Sequence, residues 1–249
     1  VFFIGAILLA WVIPSSWTNT GILPTPRSIT PDSPWSSRVS LDDVAWGNGS
    51  PYVRISVGAT DAPLGATGWS LENELGERVE LGVGVEIFTP GQTPLPIPLS
   101  VASHTTLIIN TGPSPLGVSF REHVCSGYLR GTIPLTPPTE TRCPEPSKHA
   151  RWSTLDESCK LLVDSLPRCT VLSPEHLGDM SSACESFLRT VPTYTTCVRE
   201  AGQNALLPRW RIFVEGPSSF IHETGGTILL RDDQGMVVDV LSYGTIGLE

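Results

Sequence analysis

Between Tyr52 and Phe120, apolar and polar positions alternate in short runs: "YVRIS" (52–56), "GWSLEN" (68–73), "RVELGVGVEIF" (78–88), "TTLIINT" (105–111) and "GVSF" (117–120). Turn residues such as Gly76 and Pro90-Gly91 punctuate them, and no helical period intervenes. Strands of this length and spacing predict an antiparallel sandwich or barrel. The alternation returns in "RWRIFVEG" (209–216), where Trp210, Ile212 and Val214 face one way and Arg209, Arg211 and Phe213 the other. The chain then runs into "GGTILLRDDQGMVVDVLSYG" (225–244), which reads as two strands around a tight turn.

The period changes at Cys125. After the Pro-rich "GTIPLTPPTETRCPEPS" come three helical patterns. The first, "STLDESCKLLVDSL", carries Ser153-x-x-Asp156 as a capping box and sets Leu155, Cys159, Leu162 and Leu166 on one face. The second, "SPEHLGDMSSACESFLRT", offers Ser173 as N-cap and Pro174 at the first helical position, with Leu177, Met180, Cys184 and Phe187 on its apolar face. The third, "TYTTCVREAG", is short and has Cys197 near its middle. The expected architecture is a mainly β domain, residues 47–124 and 208–249, interrupted by a helical insertion at 125–207.

All six cysteines, Cys125, Cys143, Cys159, Cys169, Cys184 and Cys197, fall in that insertion. A zinc site or a thioredoxin-like redox site needs closely paired thiols such as C-x-x-C, and the spacing has none. An even number clustered in one segment predicts three disulfides and an oxidising compartment. Cys159, Cys184 and Cys197 sit on inward helical faces, so helix-to-helix bridges suit the geometry, with all 15 pairings open.

The start of the chain agrees with export. "VFFIGAILLAWVIPSSW" (1–17) is apolar all round and uncharged, the first charge is Arg27, and Trp11 and Trp17 fit an interfacial aromatic belt. This segment is expected to be a transmembrane signal-anchor, truncated at its N-terminus; a cleaved signal peptide is the rival, although no A-x-A-like site follows. The Pro/Ser/Thr-rich residues 18–46 are then a semi-extended linker holding a folded domain off the membrane. Gly and Pro, at 23 each, suit a turn-rich β-protein. A net charge of −9 with only two lysines argues against nucleic acid, whose affinity comes from Lys/Arg neutralising phosphates.

Known catalytic patterns fail one by one. "HETGG" (222–226) lacks the second His of a zincin, and "GVGVEI" (82–87) lacks the third glycine of a dinucleotide loop. There is no G-x-S-x-G elbow or phosphate loop. Asp232 and Asp233 could meet a cation, but turn geometry explains them. His104, His123, His149, His176 and His222 are scattered. No catalytic residue, cofactor or metal site is predicted. Asn48-Gly-Ser50 matches a glycosylation acceptor.

Taken in order, "TGWSLENELGERVEL", "TPGQ", "TTLIINT", "GVSF" and "GGTILLRDDQGMVVDVLSY" resemble the lamin tail domain, through Gly68, Trp69, Leu71, Pro90, Gly91, Gly225, Gly226, Ile228, Leu230, Asp233, Gly235, Val237, Val238 and Asp239. The resemblance covers roughly 52–120 and 209–243; with the anchor, linker and insertion, the layout is similar to bacterial membrane-anchored lamin-tail-like proteins. It implies an immunoglobulin-like β-sandwich with Trp69, Leu71, Trp210, Ile212, Ile228, Leu230 and Val238 in the core. "VGATDAPLGATGWS" lacks the strand that usually precedes the Gly-Trp strand, which implies a deletion there. The family implies docking or tethering, so the expected function is a non-catalytic, membrane-anchored extracytoplasmic interaction module whose partner is a protein or cell-envelope component. The alternative is an exported hydrolase with its site between sandwich and insertion.

Overall fold

A computed structural model describes residues 29–46, 50–93, 95–178 and 180–244. The anchor at 1–17, the linker up to 28 and Asn48 of the glycosylation acceptor lie outside the described residues. Among the described residues, no helix is long and apolar enough to cross a membrane.

The first part of the chain contributes β1 (Val39–Ala45), β2 (Tyr52–Val57), β3 (Leu64–Gly65), β4 (Ser70–Asn73), β5 (Arg78–Glu80), β6 (Val83–Gly84), β7 (Ile97–Pro98), β8 (Ser100–Val101), β9 (Thr106–Thr111) and β10 (Phe120–His123). Three short helices follow, α1 (Glu157–Ser165), α2 (Ser182–Thr190) and α3 (Tyr194–Ala201), among several 3-10 turns. The last strands are β11 (Leu206–Val214), β12 (Gly225–Arg231) and β13 (Val237–Gly244). The molecule thus combines several β-sheets with short, disulfide-linked helices.

A five-stranded sheet runs β1-β2-β9-β11-β10 and a four-stranded sheet β13-β12-β4-β5, with two small ladders, β3-β8 and β6-β7. The inner faces of the two large sheets share one core. Ile55, Leu107, Ile109, Trp210, Ile212 and Val214 enter it from the first sheet, and Trp69, Leu71, Ile228, Leu230 and Val238 from the second. Trp69 and Trp210 are each 1% exposed.

Several sequence expectations change. The pairing is not wholly antiparallel: β9 and β11 run parallel, Arg209 opposite Thr106 through Val214 opposite Thr111. A parallel pair needs a crossover, and here the crossover contains β10 and the whole insertion. The strand expected at 78–88 breaks into β5 and β6. "GVSF" supplies only Phe120 to β10. The segment "VGATDAPLGATGWS" does hold a strand, the two-residue β3 paired with β8. In the insertion, α1 is capped by Asp156 and not Ser153, which lies in a 3-10 turn. Ser173 and Pro174 open a 3-10 turn, and α2 is capped by Ser181. The insertion ends at 205, because Leu206 and Leu207 already belong to β11.

Part of the stretch read as linker is folded structure. Trp35 packs 6.4 Å from Trp69, and β1 pairs along β2, burying Val39, Leu41 and Val44. A bulge between Leu41 and Asp43 switches the parity of the buried positions. The same stretch is stitched to the closing hairpin. Val237 N–H donates to Asp32 Oδ1 (2.6 Å), Leu41 N–H to Asp239 Oδ2 (2.7 Å) and the Ser33 hydroxyl to Asp232 Oδ2 (2.7 Å). Asp232 Oδ1 accepts the N–H groups of Gln234 (3.0 Å) and Met236 (2.9 Å), and Gly235 takes a φ of 79° that completes the turn. The turn itself therefore employs the Asp232 carboxylate.

Candidate functional site

All six cysteines pair, as Cys125–Cys197, Cys143–Cys169 and Cys159–Cys184. Three disulfides fit an oxidising, extracytoplasmic setting. They organise the insertion into a lobe whose own core gathers Leu155, Val163, Leu177, Phe187 and Leu188 around Cys159–Cys184. The lobe begins directly from β10. His123 caps the following 3-10 turn, its Nδ1 accepting the Cys125 N–H (3.2 Å) and its Nε2 donating to Gly202 O (2.9 Å). Cys125 then reaches α3 through Cys197, and Gly127 lies against the second bridge. A Cβ on Gly127 would stand 2.2 Å from Cys169 Sγ, so no other residue fits without displacing that disulfide.

The outer face of the five-stranded sheet is covered by this lobe. Phe120 and the half-buried Phe213 pack with Tyr128, Leu129, Leu135 and Tyr194. Beside them Arg211 Nε donates to Glu122 Oε1 at 2.6 Å, both side chains being fully buried. Burial pulls the Arg211 guanidinium below its ordinary value, and Glu122 opposes the shift. Arg211 and Asn110 both donate to Thr136 O, at 3.1 and 2.6 Å. The pair joins β11 to β10, and the lobe meets it through the Thr136 carbonyl, held from β11 by Arg211 and from β9 by Asn110.

Two clefts open on the lobe, of about 270 and about 250 Å³, on either side of the strap Glu145–Pro146. Tyr128 lies in the wall of both, and burial pushes its phenol up. Val163, Leu166 and Leu188 line the first cleft, Val191 and Ala201 the second, and each includes a disulfide cysteine, Cys169 or Cys197. The rim is charged and, apart from Asp164, internally paired. Glu145 meets Lys148 at 3.1 Å and also Arg168, and Lys148 foremost holds its carboxyl below the ordinary range. His149 Nε2 faces Glu200 at 3.3 Å while its Nδ1 accepts the Arg151 N–H at 3.1 Å, so both ring nitrogens are engaged.

One Ser–His contact escaped the sequence reading. Ser173 Oγ lies 2.6 Å from His176 Nδ1 and donates to Glu175 at 2.9 Å. All three residues share one exposed turn, and the carboxylate bonds the serine instead of orienting the imidazole. That is not the relay geometry of a nucleophilic triad. Of the remaining histidines, His104 and His222 lie apart from the clefts. Among the described residues, no three His, Cys, Asp or Glu side chains group as a metal site.

Compared with known proteins, the chain matches no protein-family model, and no curated protein is similar to it.

Proposed function

We propose that the chain is a non-catalytic, extracytoplasmic binding module of the lamin tail type: an immunoglobulin-like β-sandwich, tethered to the membrane by residues 1–17, that presents a disulfide-stapled lobe to a protein or envelope component. The observation that carries this reading is the pair of clefts beside Tyr128, preformed between disulfides, partly apolar inside, with most of the rim charges already paired with one another. Such a surface offers shape and apolar area, the usual currency of recognition.

Charge distribution supports the lobe as the docking face. Residues 125–207 carry 8 Lys/Arg against 9 Asp/Glu, whereas the rest of the chain carries 8 against 16. An approaching partner meets least net repulsion at the lobe if it is acidic, as many envelope components are. Supporting the family reading, Leu71 of the Gly-Trp segment stands opposite Leu230 of the closing hairpin, so its two strongest motifs share one sheet.

The test is a pull-down from native envelope with the full chain and with its Lys148→Glu/Glu200→Lys variant, which reverses two rim charges without touching a core. The expected result is a stoichiometric partner captured by the wild type and lost by the variant. Equal capture by both would move the docking face off the clefts, and turnover of an envelope substrate by the pure protein would replace the non-catalytic reading.

A further inference from the structure

The three disulfides are not equally placed. Cys125, Cys143, Cys159, Cys184 and Cys197 are all buried, whereas Cys169 is only half-buried and lines the first cleft beside Pro167 and Arg168. Its partner Cys143 is 0% exposed and borders neither cleft. Cys197 does border the second cleft, but as a buried residue inside α3. Cys143–Cys169 is therefore the most open of the three bridges, and it is open at its Cys169 end.

Backbone geometry sets the same residue apart. Pro167 to Thr170 form a tight turn, closed by the Thr170 N–H donating to Pro167 O at 3.2 Å and again by the Thr170 hydroxyl donating to that carbonyl at 2.7 Å. Cys169 holds its third position with a φ of 64°, where Gly or Asn is the ordinary occupant because a Cβ crowds the left-handed backbone. No other cysteine has a positive φ. Opening this bridge lets the turn relax, so backbone strain and exposure both favour exchange at Cys169.

The surroundings fit the two sulfurs to different parts. The Cys143 N–H donates to Cys169 Sγ at 3.2 Å and so supports negative charge on that sulfur. Cys143 Sγ lies 4.0 Å from Cys125 O, which can only accept and therefore suits a protonated thiol. Gly127 backs the bridge: a Cβ there would stand 2.2 Å from Cys169 Sγ and 2.9 Å from Cys143 Sγ. The pair thus rests on bare, buried backbone, and the first cleft is its way in.

We propose that Cys143–Cys169 is an exchangeable disulfide, a redox-modification site at which a thiol entering the first cleft attacks Cys169 Sγ. The incoming thiolate bonds to Cys169 Sγ, the Cys143–Cys169 bond breaks, and its electron pair leaves on Cys143 Sγ, which takes up the proton the thiol has lost. The product is a mixed disulfide on Cys169 and a free thiol on Cys143. A dithiol goes one step further: its second sulfur displaces Cys169 and leaves with the first as a disulfide, so both cysteines end as thiols. Attack by Cys143 on the mixed disulfide restores the bridge without an oxidant. The site borders a cleft used by the docking reading but does not rest on that reading.

Limited reduction of the full chain by glutathione, followed by alkylation and peptide mapping, tests it. Cys143–Cys169 should open at least about tenfold faster than the other two bridges, as access and strain dictate, and glutathione should be recovered on Cys169 and not on Cys143. Two single variants separate the sulfurs. In Cys143→Ala the Cys169 thiol should react with N-ethylmaleimide in the folded protein, whereas in Cys169→Ala the Cys143 thiol should stay protected until denaturant is added. If either variant fails to fold, the wild-type map still decides. A reduced protein dithiol of the thioredoxin type, used beside glutathione, distinguishes the sources: opening by glutathione alone assigns the site to small thiols, and opening by both assigns it to protein dithiols as well. The Lys148→Glu/Glu200→Lys variant should exchange at the wild-type rate, so failure of the docking proposal and failure of this one are separable. Equal opening of all three bridges, earlier loss of Cys125–Cys197 or Cys159–Cys184, or glutathione carried by Cys143 overturns the proposal.

Discussion

Asp156 and Ser181, the N-caps of α1 and α2, are hydrogen-bonded to each other. The Ser181 hydroxyl donates to one Asp156 oxygen while accepting the Cys184 N–H at 3.3 Å, and the other Asp156 oxygen accepts the Cys159 N–H at 2.9 Å. Cys159 and Cys184 are each the third residue of their helix and are bonded to each other. The two helices therefore start side by side, tied once by a carboxylate and once by sulfur.

This junction should respond to acid. The Ser158 hydroxyl foremost, then the Ser181 hydroxyl and the Cys159 N–H, hold the Asp156 carboxyl well below its ordinary range. A depressed carboxylate contributes stability that is complete above its unfolded value of about 4 and is lost as pH falls through the folded value. Asp156→Asn should lower Tm at neutral pH, and its deficit against the wild type should shrink below about pH 4. Thermal melts of both proteins across that range check this; a pH-independent gap would mean that the carboxylate charge is not what matters.

Non-reducing peptide mapping of exported protein should recover the pairs Cys125–Cys197, Cys143–Cys169 and Cys159–Cys184, and no free thiol. Their removal should not cost equally. Cys125–Cys197 spans 72 residues, against 26 and 25 for the others, and loop entropy then gives about 4.5 kcal/mol against about 3.5. Denaturant unfolding of the three double-serine variants should place the Cys125/Cys197 variant lowest.

Trp69→Ala and Trp210→Ala should each cost about 3–5 kcal/mol, as large core truncations do. Both indoles sit in the shared core of the two sheets. Chemical unfolding measures the loss, and unchanged stability in both variants would contradict their burial.

Replacing residues 125–204 with a short Gly/Ser linker should leave a protein with a cooperative but lower thermal transition. His123 stands directly opposite Leu206 in the β10–β11 ladder, so the ends to be joined are adjacent and closure is cheap. The uncovered face would bring Arg211, Glu122 and Asn110 into water, where charges and amides are at ease, and only Phe120, Phe213 and their neighbours would lose cover. A molten product in calorimetry would make the lobe part of one indivisible core.

The legible parts of this fold were those in which period and burial coincide. Trp210, Ile212 and Val214 share one face by simple parity, and the structure buries all three. The hairpin at 225–244 announces itself through Asp-Asp-Gln-Gly between apolar runs, and β12 and β13 form there. β1 did not announce itself, because the bulge at Leu41/Asp43 breaks its alternation inside a Ser-, Pro- and Asp-rich stretch. Helix starts were misplaced where 3-10 turns used the same capping residue types a few positions early. The clefts were out of reach for another reason: Tyr128, Glu145 and Leu188 become neighbours only through the packing of the lobe, which no local pattern encodes.

The position of β11 between β9 and β10 bears on the order in which the molecule can be completed. A chain that emerges from its N-terminal end displays β9 and β10 with a vacant slot between them until Leu206 arrives. The lobe, with its internal core and its bridge between Cys159 and Cys184, can fold and oxidise during that wait. The five-stranded sheet closes only when Leu206 and the rest of β11 arrive, by long-range pairing, the slow kind. Products that stop short of Leu206 would carry two open strand edges side by side, a template for joining other chains. Release of an intact molecule, and not an aggregate, is favoured by quick delivery of that central strand.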